Sequence, residues 1–121
     1  MENELVQYFL VNKDISMGKG KVAAQVAHAA TIYTYNILKN CNSSINYKRA
    51  REDFEQWYHS IQKKIILKAP LQLLEELEAK GYFSIRDKGY TQIPANSLTV
   101  VTLGVTTREA VNEIVNDLTL L

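Results

Sequence analysis

The stretch Ser16-Met17-Gly18-Lys19-Gly20-Lys21, running into Val22-Ala23-Ala24-Gln25-Val26-Ala27-His28-Ala29-Ala30, decides how the chain is read. An apolar run over residues 5–11, including Tyr8 and Phe9, precedes it, and a long alanine-rich pattern follows. That order is a buried strand turning into a helix. Two glycines and two lysines fall at the junction. A helix N-terminus carries unpaired N–H groups and partial positive charge, so lysine in a first turn is mildly unfavourable. Lys19 and Lys21 make sense there if an anion meets them.

Bulk properties narrow the classes. A chain of 121 residues is long enough for one domain with one core, here placed over residues 1–121. No apolar run approaches the roughly 20 residues of a membrane helix, and the acidic start Met1-Glu2-Asn3-Glu4 does not read as a signal peptide. Cys41 is the single cysteine, which fits a reducing cytoplasm and rules out a Cys-rich zinc site with only His28 and His59 as companions. The net charge of +1 hides an asymmetry. Between residues 12 and 51, Lys13, Lys19, Lys21, Lys39, Lys48, Arg49 and Arg51 face one acid, Asp14, whereas after Gly104 Arg108 stands against Glu109, Glu113 and Asp117. Such polarity suits a face for a polyanion, against the plainer reading of scattered solvated charge.

Working outward, the alanine-rich pattern predicts a helix over residues 19–39, in which Lys21, Gln25 and His28 share a face. Residues 40–44 form a loop, and residues 47–60 a second helix with Phe54 and Trp57 on its apolar side. Ile65-Ile66-Leu67 is a second strand, Pro70 opens an amphipathic helix, and Gly81 stops it. Residues 82–86 form a third strand ending at Asp87. Residues 97–103 form a fourth, ended by Gly104, and Thr106 or Thr107 caps a last helix. The expected fold is α/β: a four-stranded mixed sheet covered by helices on both faces.

Gly18-x-Gly20-x-x-Ala23 matches a dinucleotide fingerprint in form, but no second strand ending in an acid follows at the right distance. A Walker phosphate loop is absent too. Asp87 is the best candidate acid or base: it ends a buried strand beside a glycine loop, and ligands favour the carboxyl ends of strands in open α/β sheets. If the first and third strands are parallel, Lys21 and Asp87 lie near one edge, and the lysine holds the carboxylate ionised. The competing reading is a turn-capping aspartate. Thr91 and Thr99 are candidate hydroxyl donors near the same loop, against an ordinary strand and loop role. No Ser/His/Asp or Cys/His arrangement is legible.

These residues carry a resemblance. The segment 17–25 with His28-Ala29-Ala30, then Lys64-Ile65-Ile66-Leu67-Lys68-Ala69-Pro70, then Asp87-Lys88-Gly89-Tyr90-Thr91-Gln92-Ile93 with Ser97-Leu98-Thr99-Val100, resembles the motif set of the type 2 peptidyl-tRNA hydrolases, in order and over nearly the whole chain. The resemblance implies cleavage of the ester joining a nascent peptide to the 3′-terminal ribose of tRNA, without cofactor or metal, in a cytoplasmic and commonly homodimeric protein. It places Lys21, Asp87, Thr91 and Thr99 in the chemistry, with Gln25 and His28 in support. Gly18, Lys19, Gly20, Lys13 and Lys88 are the expected phosphate contacts. The chain departs from the family pattern at Ser16, Ala27, Lys88 and Tyr90.

On this reading Asp87 activates a water, and Lys21, with Thr91 or Thr99, stabilises the oxyanion. Tyr90 is a candidate for stacking on a terminal base. Two rival readings are a catalytically silent RNA- or protein-binding relative and a different small-molecule hydrolase on the same scaffold. Retention of all four chemical residues favours the enzyme.

Overall fold

The N-terminal apolar run becomes a strand buried on both faces. In the computed structural model, which describes residues 3–88 and 93–121, the elements are β1 (Leu5–Asn12), α1 (Lys19–Lys39), α2 (Ile45–Tyr58), β2 (Lys64–Ala69), α3 (Leu71–Ala79), β3 (Phe83–Arg86), β4 (Leu98–Thr107), α4 (Arg108–Val115) and β5 (Thr119–Leu120). Alternation along β1 sends Val6, Tyr8 and Leu10 into one core and Phe9 and Val11 into another. The first core is closed by Leu74 and Leu77 of α3 and Val111 and Val115 of α4. The second is closed by Ala29, Val22 and Val26 of α1. Tyr33 and Ile37 of α1 continue that side with Trp57 of α2 and Val105. Helices therefore cover both faces. Alanine at position 29, fully buried against the sheet, lets α1 approach closely.

Among the described residues the sheet has five strands in the order β3-β4-β1-β2-β5, which corrects the expected four. β5 pairs only Leu120 with Leu67 and Thr119 with Lys68, and both of its residues are exposed. Two exposed residues carry no period-2 pattern, so composition gives no sign of them. β1 and β2 are parallel, β4 is antiparallel to β1, and β3 is antiparallel to β4. β3 therefore runs parallel to β1, and both end at the same edge.

β4 does not stop at Gly104 but continues to Thr107. The pairing steps from Tyr8–Gly104 to Phe9–Thr102, so Leu103 is an extra residue. Gly104 takes φ of 76°, and the Thr102 hydroxyl bridges the break, donating to the Tyr8 carbonyl at 2.9 Å and accepting from Gly104 N at 3.0 Å. The glycine marks a bulge inside the strand, which in sequence looks like a terminator. The other bounds move by a few residues. Ser44 caps α2 by accepting from Tyr47 N at 3.2 Å, so that helix begins at Ile45. Thr107 caps α4 by accepting from Ala110 N at 3.2 Å.

Candidate active site

Both functional halves hang from the shared edge of β1 and β3. After β1 the chain turns through Lys13 and Asp14 and enters α1 at Gly18, its N-cap, with extended φ and ψ of −69° and 165°. No side chain caps this end, and its first turn holds no acid. Its N–H groups and the positive end of the macrodipole are thus open to an anion. Gly18, Lys19 and Gly20 are exposed. A Cβ on Gly20 would meet nothing within 4 Å, so packing does not demand glycine there.

Lys21, in the first turn of α1, points back over the sheet and donates from Nζ to Asp87 Oδ1. Asp87 follows β3 directly and is buried. The side chains are 13% and 6% exposed, so the charges are largely withdrawn from water and depend on each other. Backbone bonds fix the carboxylate's base: Asp87 N donates to Ser97 O at 2.8 Å, and Asn96 N donates to Asp87 O. Arg86 adds a second clamp. Its Nη1 donates to Asn96 O at 2.9 Å, and its Nε and Nη2 donate to the Glu78 carboxylate at 3.1 and 2.7 Å. Those bonds, with a further one from Ser84, hold the Glu78 carboxyl below its ordinary pKa.

Thr99 enters through a second irregularity. Ile85 pairs with Val100 and Arg86 with Leu98, leaving Thr99 as the extra residue of a bulge. Val100 packs in the core under α1, and Thr99 also turns to α1, where its Oγ1 accepts from Gln25 Nε2 at 3.1 Å. The same hydroxyl donates to Ile85 O at 3.1 Å. Thr99 is fully buried and Gln25 is 7% exposed. One step of helix periodicity thus places Lys21 on Asp87 and Gln25 on Thr99.

His28 lies one turn further along α1 and is exposed. Lys13, Lys19 and Lys88 are exposed at the same edge as the ion pair. Lys39, Lys48, Arg49 and Arg51 lie at the far end of α1 or on α2, and Arg51 is engaged with Cys41 Sγ at 3.1 Å and Glu55 at 3.4 Å. Thr91 and Tyr90 lie outside the described residues. A groove of about 710 Å³, lined by Phe9, Met17, Val22, Val26 and Ile66 among others, runs along the flank of α1 turned away from Gln25. Among the described residues no group of three or more His, Cys, Asp or Glu side chains is placed to hold a metal ion. None of their helices is long and apolar enough to cross a membrane.

The residues that meet here come from the three segments whose motifs match one family. A family model described as peptidyl-tRNA hydrolase PTH2 matches residues 5–121. The chain belongs to the PTH2 family. A curated relative named peptidyl-tRNA hydrolase, from Staphylothermus marinus, is 38% identical over 98% of this chain and 96% of its own length. Relatives of the same name from Thermoplasma acidophilum and Saccharolobus solfataricus are 34% and 35% identical, over 86% and 93% of this chain and 87% and 95% of their own.

One buried polar residue at this edge escapes a reading by motif. Asn12, 3% exposed at the end of β1, looks in sequence like the break after the strand. The only local sign is a polar side chain following seven residues of mostly apolar strand.

Proposed function

We propose that this PTH2-family chain works as a single catalytic domain over residues 1–121, hydrolysing the ester between a nascent peptide and the 3′-terminal ribose of tRNA. The observation that carries the reading is the Lys21–Asp87 pair, buried at the sheet edge beside an uncapped helix N-terminus. Asp87 accepts a proton from water as the water oxygen bonds to the ester carbonyl carbon. The developing oxyanion is met by Lys21 and the N–H groups of the first turn of α1. The carbon–oxygen bond to the ribose then breaks, and the proton passes to the ribose oxygen. The products are free tRNA and the peptide's carboxylic acid, which loses its remaining proton to solvent.

Thr99 is assigned a positioning part. Its proton is committed to Ile85 O, and its lone pair receives Gln25, so it holds the wall rather than the substrate. Thr91 is assigned a contact with the reacting ester on its match to the family motif alone. Lys13, Lys19 and Lys88, with the backbone at Gly18 and Gly20, contact tRNA phosphates, and His28 borders this surface. The family resemblance is what supports a cytoplasmic location and the homodimer common among its members.

Release of labelled peptide from peptidyl-tRNA by the purified protein tests this reading, with Lys21→Ala and Asp87→Ala in parallel. Turnover by the unmutated chain and its loss in both variants are expected. No turnover by the unmutated chain overturns the function. Full activity in Asp87→Ala overturns the mechanism and leaves the function standing.

A further inference from the structure

The geometry points to Asn12 as a positioning residue for the hydrolytic site, acting by holding the Leu98–Thr99 bulge against the loop that leads into α1. The inference rests on the reading of Lys21, Asp87 and Thr99 given above.

The β1–β4 ladder ends at the Val11–Val100 pair. Beyond it β4 has no further pairing with β1, so the ladder gives Leu98 O no partner on that side. A buried carbonyl left so is costly. Asn12 supplies the bond from its side chain: Nδ2 donates to Leu98 O at 2.8 Å. The other end of the same amide is also used, with Oδ1 accepting from Asp14 N at 2.7 Å. Asp14 in turn accepts from Leu71 N at 2.8 Å, at the start of α3.

One side chain therefore bridges two lines of support. On one side, the turn at Asp14 sets the path of residues 15–18 into the helix start that carries Lys21. On the other, the carbonyls of consecutive residues are fixed from opposite directions, Ser97 O by Asp87 N and Leu98 O by Asn12, with the Thr99 hydroxyl following. Moving Leu98 moves both Thr99 and the anchor of Asp87. A displacement of about 1 Å at a reacting group costs on the order of 100-fold in rate.

Asn12→Asp is the informative variant. It keeps the acceptor for Asp14 N and replaces the donor to Leu98 O with a second oxygen. Protonation of the new carboxyl restores a donor, and burial against a carbonyl favours that neutral form. The experiment measures kcat and KM for peptidyl-tRNA across pH, with thermal unfolding in the same buffers, for Asn12→Asp and Asn12→Ser. The expected result is kcat lowered about 10-fold to 100-fold near neutral pH, KM changed less than about 3-fold, and a cooperative unfolding transition above the assay temperature. The kcat of Asn12→Asp relative to the unmutated protein should rise as pH falls. Unchanged kcat in either folded variant overturns the inference. So does loss of cooperative folding in both, which makes Asn12 a residue of the fold alone. An active Asp87→Ala would instead remove the site reading beneath it.

Discussion

Lys21 and Asp87, 66 positions apart in sequence, share a hydrogen bond because β1 and β3 run the same way and end at the same edge. The pair is nearly dry, and its two charges come from a helix start and a strand end.

Lys21→Met and Asp87→Asn should each lower kcat/KM by at least about 100-fold, the low end of what a positioned base contributes. Lys21→Met should also destabilise the fold, because it removes the cation from a buried carboxylate. The loss of one partner of a buried pair is worth about 3–5 kcal/mol at full burial. Urea denaturation of the two single variants and the double variant measures the coupling, and additive losses would refute the dependence of each charge on the other.

Gly20→Ala should stabilise and inhibit at once. The new methyl meets nothing in the fold, and alanine in place of glycine within a helix adds up to about 1 kcal/mol. The same methyl stands on the exposed surface assigned to tRNA. A raised melting temperature with a raised KM is the expected outcome, and an unchanged KM would remove Gly20 from the substrate surface.

Thr99→Val keeps shape and removes the hydroxyl, leaving Gln25 Nε2 and Ile85 O without this partner. A loss of about 1–3 kcal/mol in stability follows. Activity should fall chiefly in kcat and recover in Thr99→Ser, measured by the same peptide-release assay.

Glu78 provides a pH test outside the site. Its carboxyl sits below its ordinary value near 4.5 because Arg86, then Ser84, hydrogen-bonds to the ionised form. The bond therefore adds stability above pH 4.5, and this is lost as pH falls through the lowered value. Glu78→Gln should cost at most about 1 kcal/mol at neutral pH, since Glu78 and Arg86 are 28% and 38% exposed. The gap between variant and unmutated protein should close in acid, as followed by denaturation at a series of pH values.

Binding of tRNA should weaken steeply with salt, and Lys19→Ala should reduce the slope of log K against log salt by about 0.7–0.9. An unchanged slope would take Lys19 off the phosphate contacts.

Much of this was legible in the sequence because local signals agreed with one another. The helix over residues 19–39 is bounded as its glycine start and alanine content suggest, and the strand ending at Asp87 is marked by its apolar run and following loop. The features that escaped are those in which tertiary partners override local pattern. Gly104 signals a stop, yet it stays in β4 because the Thr102 hydroxyl repairs the ladder around it. β5 is too short to have a period. Thr99 stands out in the sequence as a candidate hydroxyl donor, yet only its partners across the sheet reveal the bulge that turns it toward Gln25. Asn12 reads as a strand breaker until Leu98, 86 residues away, is found at its amide.

The position of β4 between β1 and β3 has a consequence for synthesis. β1 and β3 are not hydrogen-bonded to each other, and the sheet joins them through β4. A growing chain that has emerged as far as residue 97 already contains Lys21, Gln25 and Asp87, but not the strand that joins β1 to β3. The sheet edge that carries Lys21 and Asp87 is therefore complete only once β4 has been made.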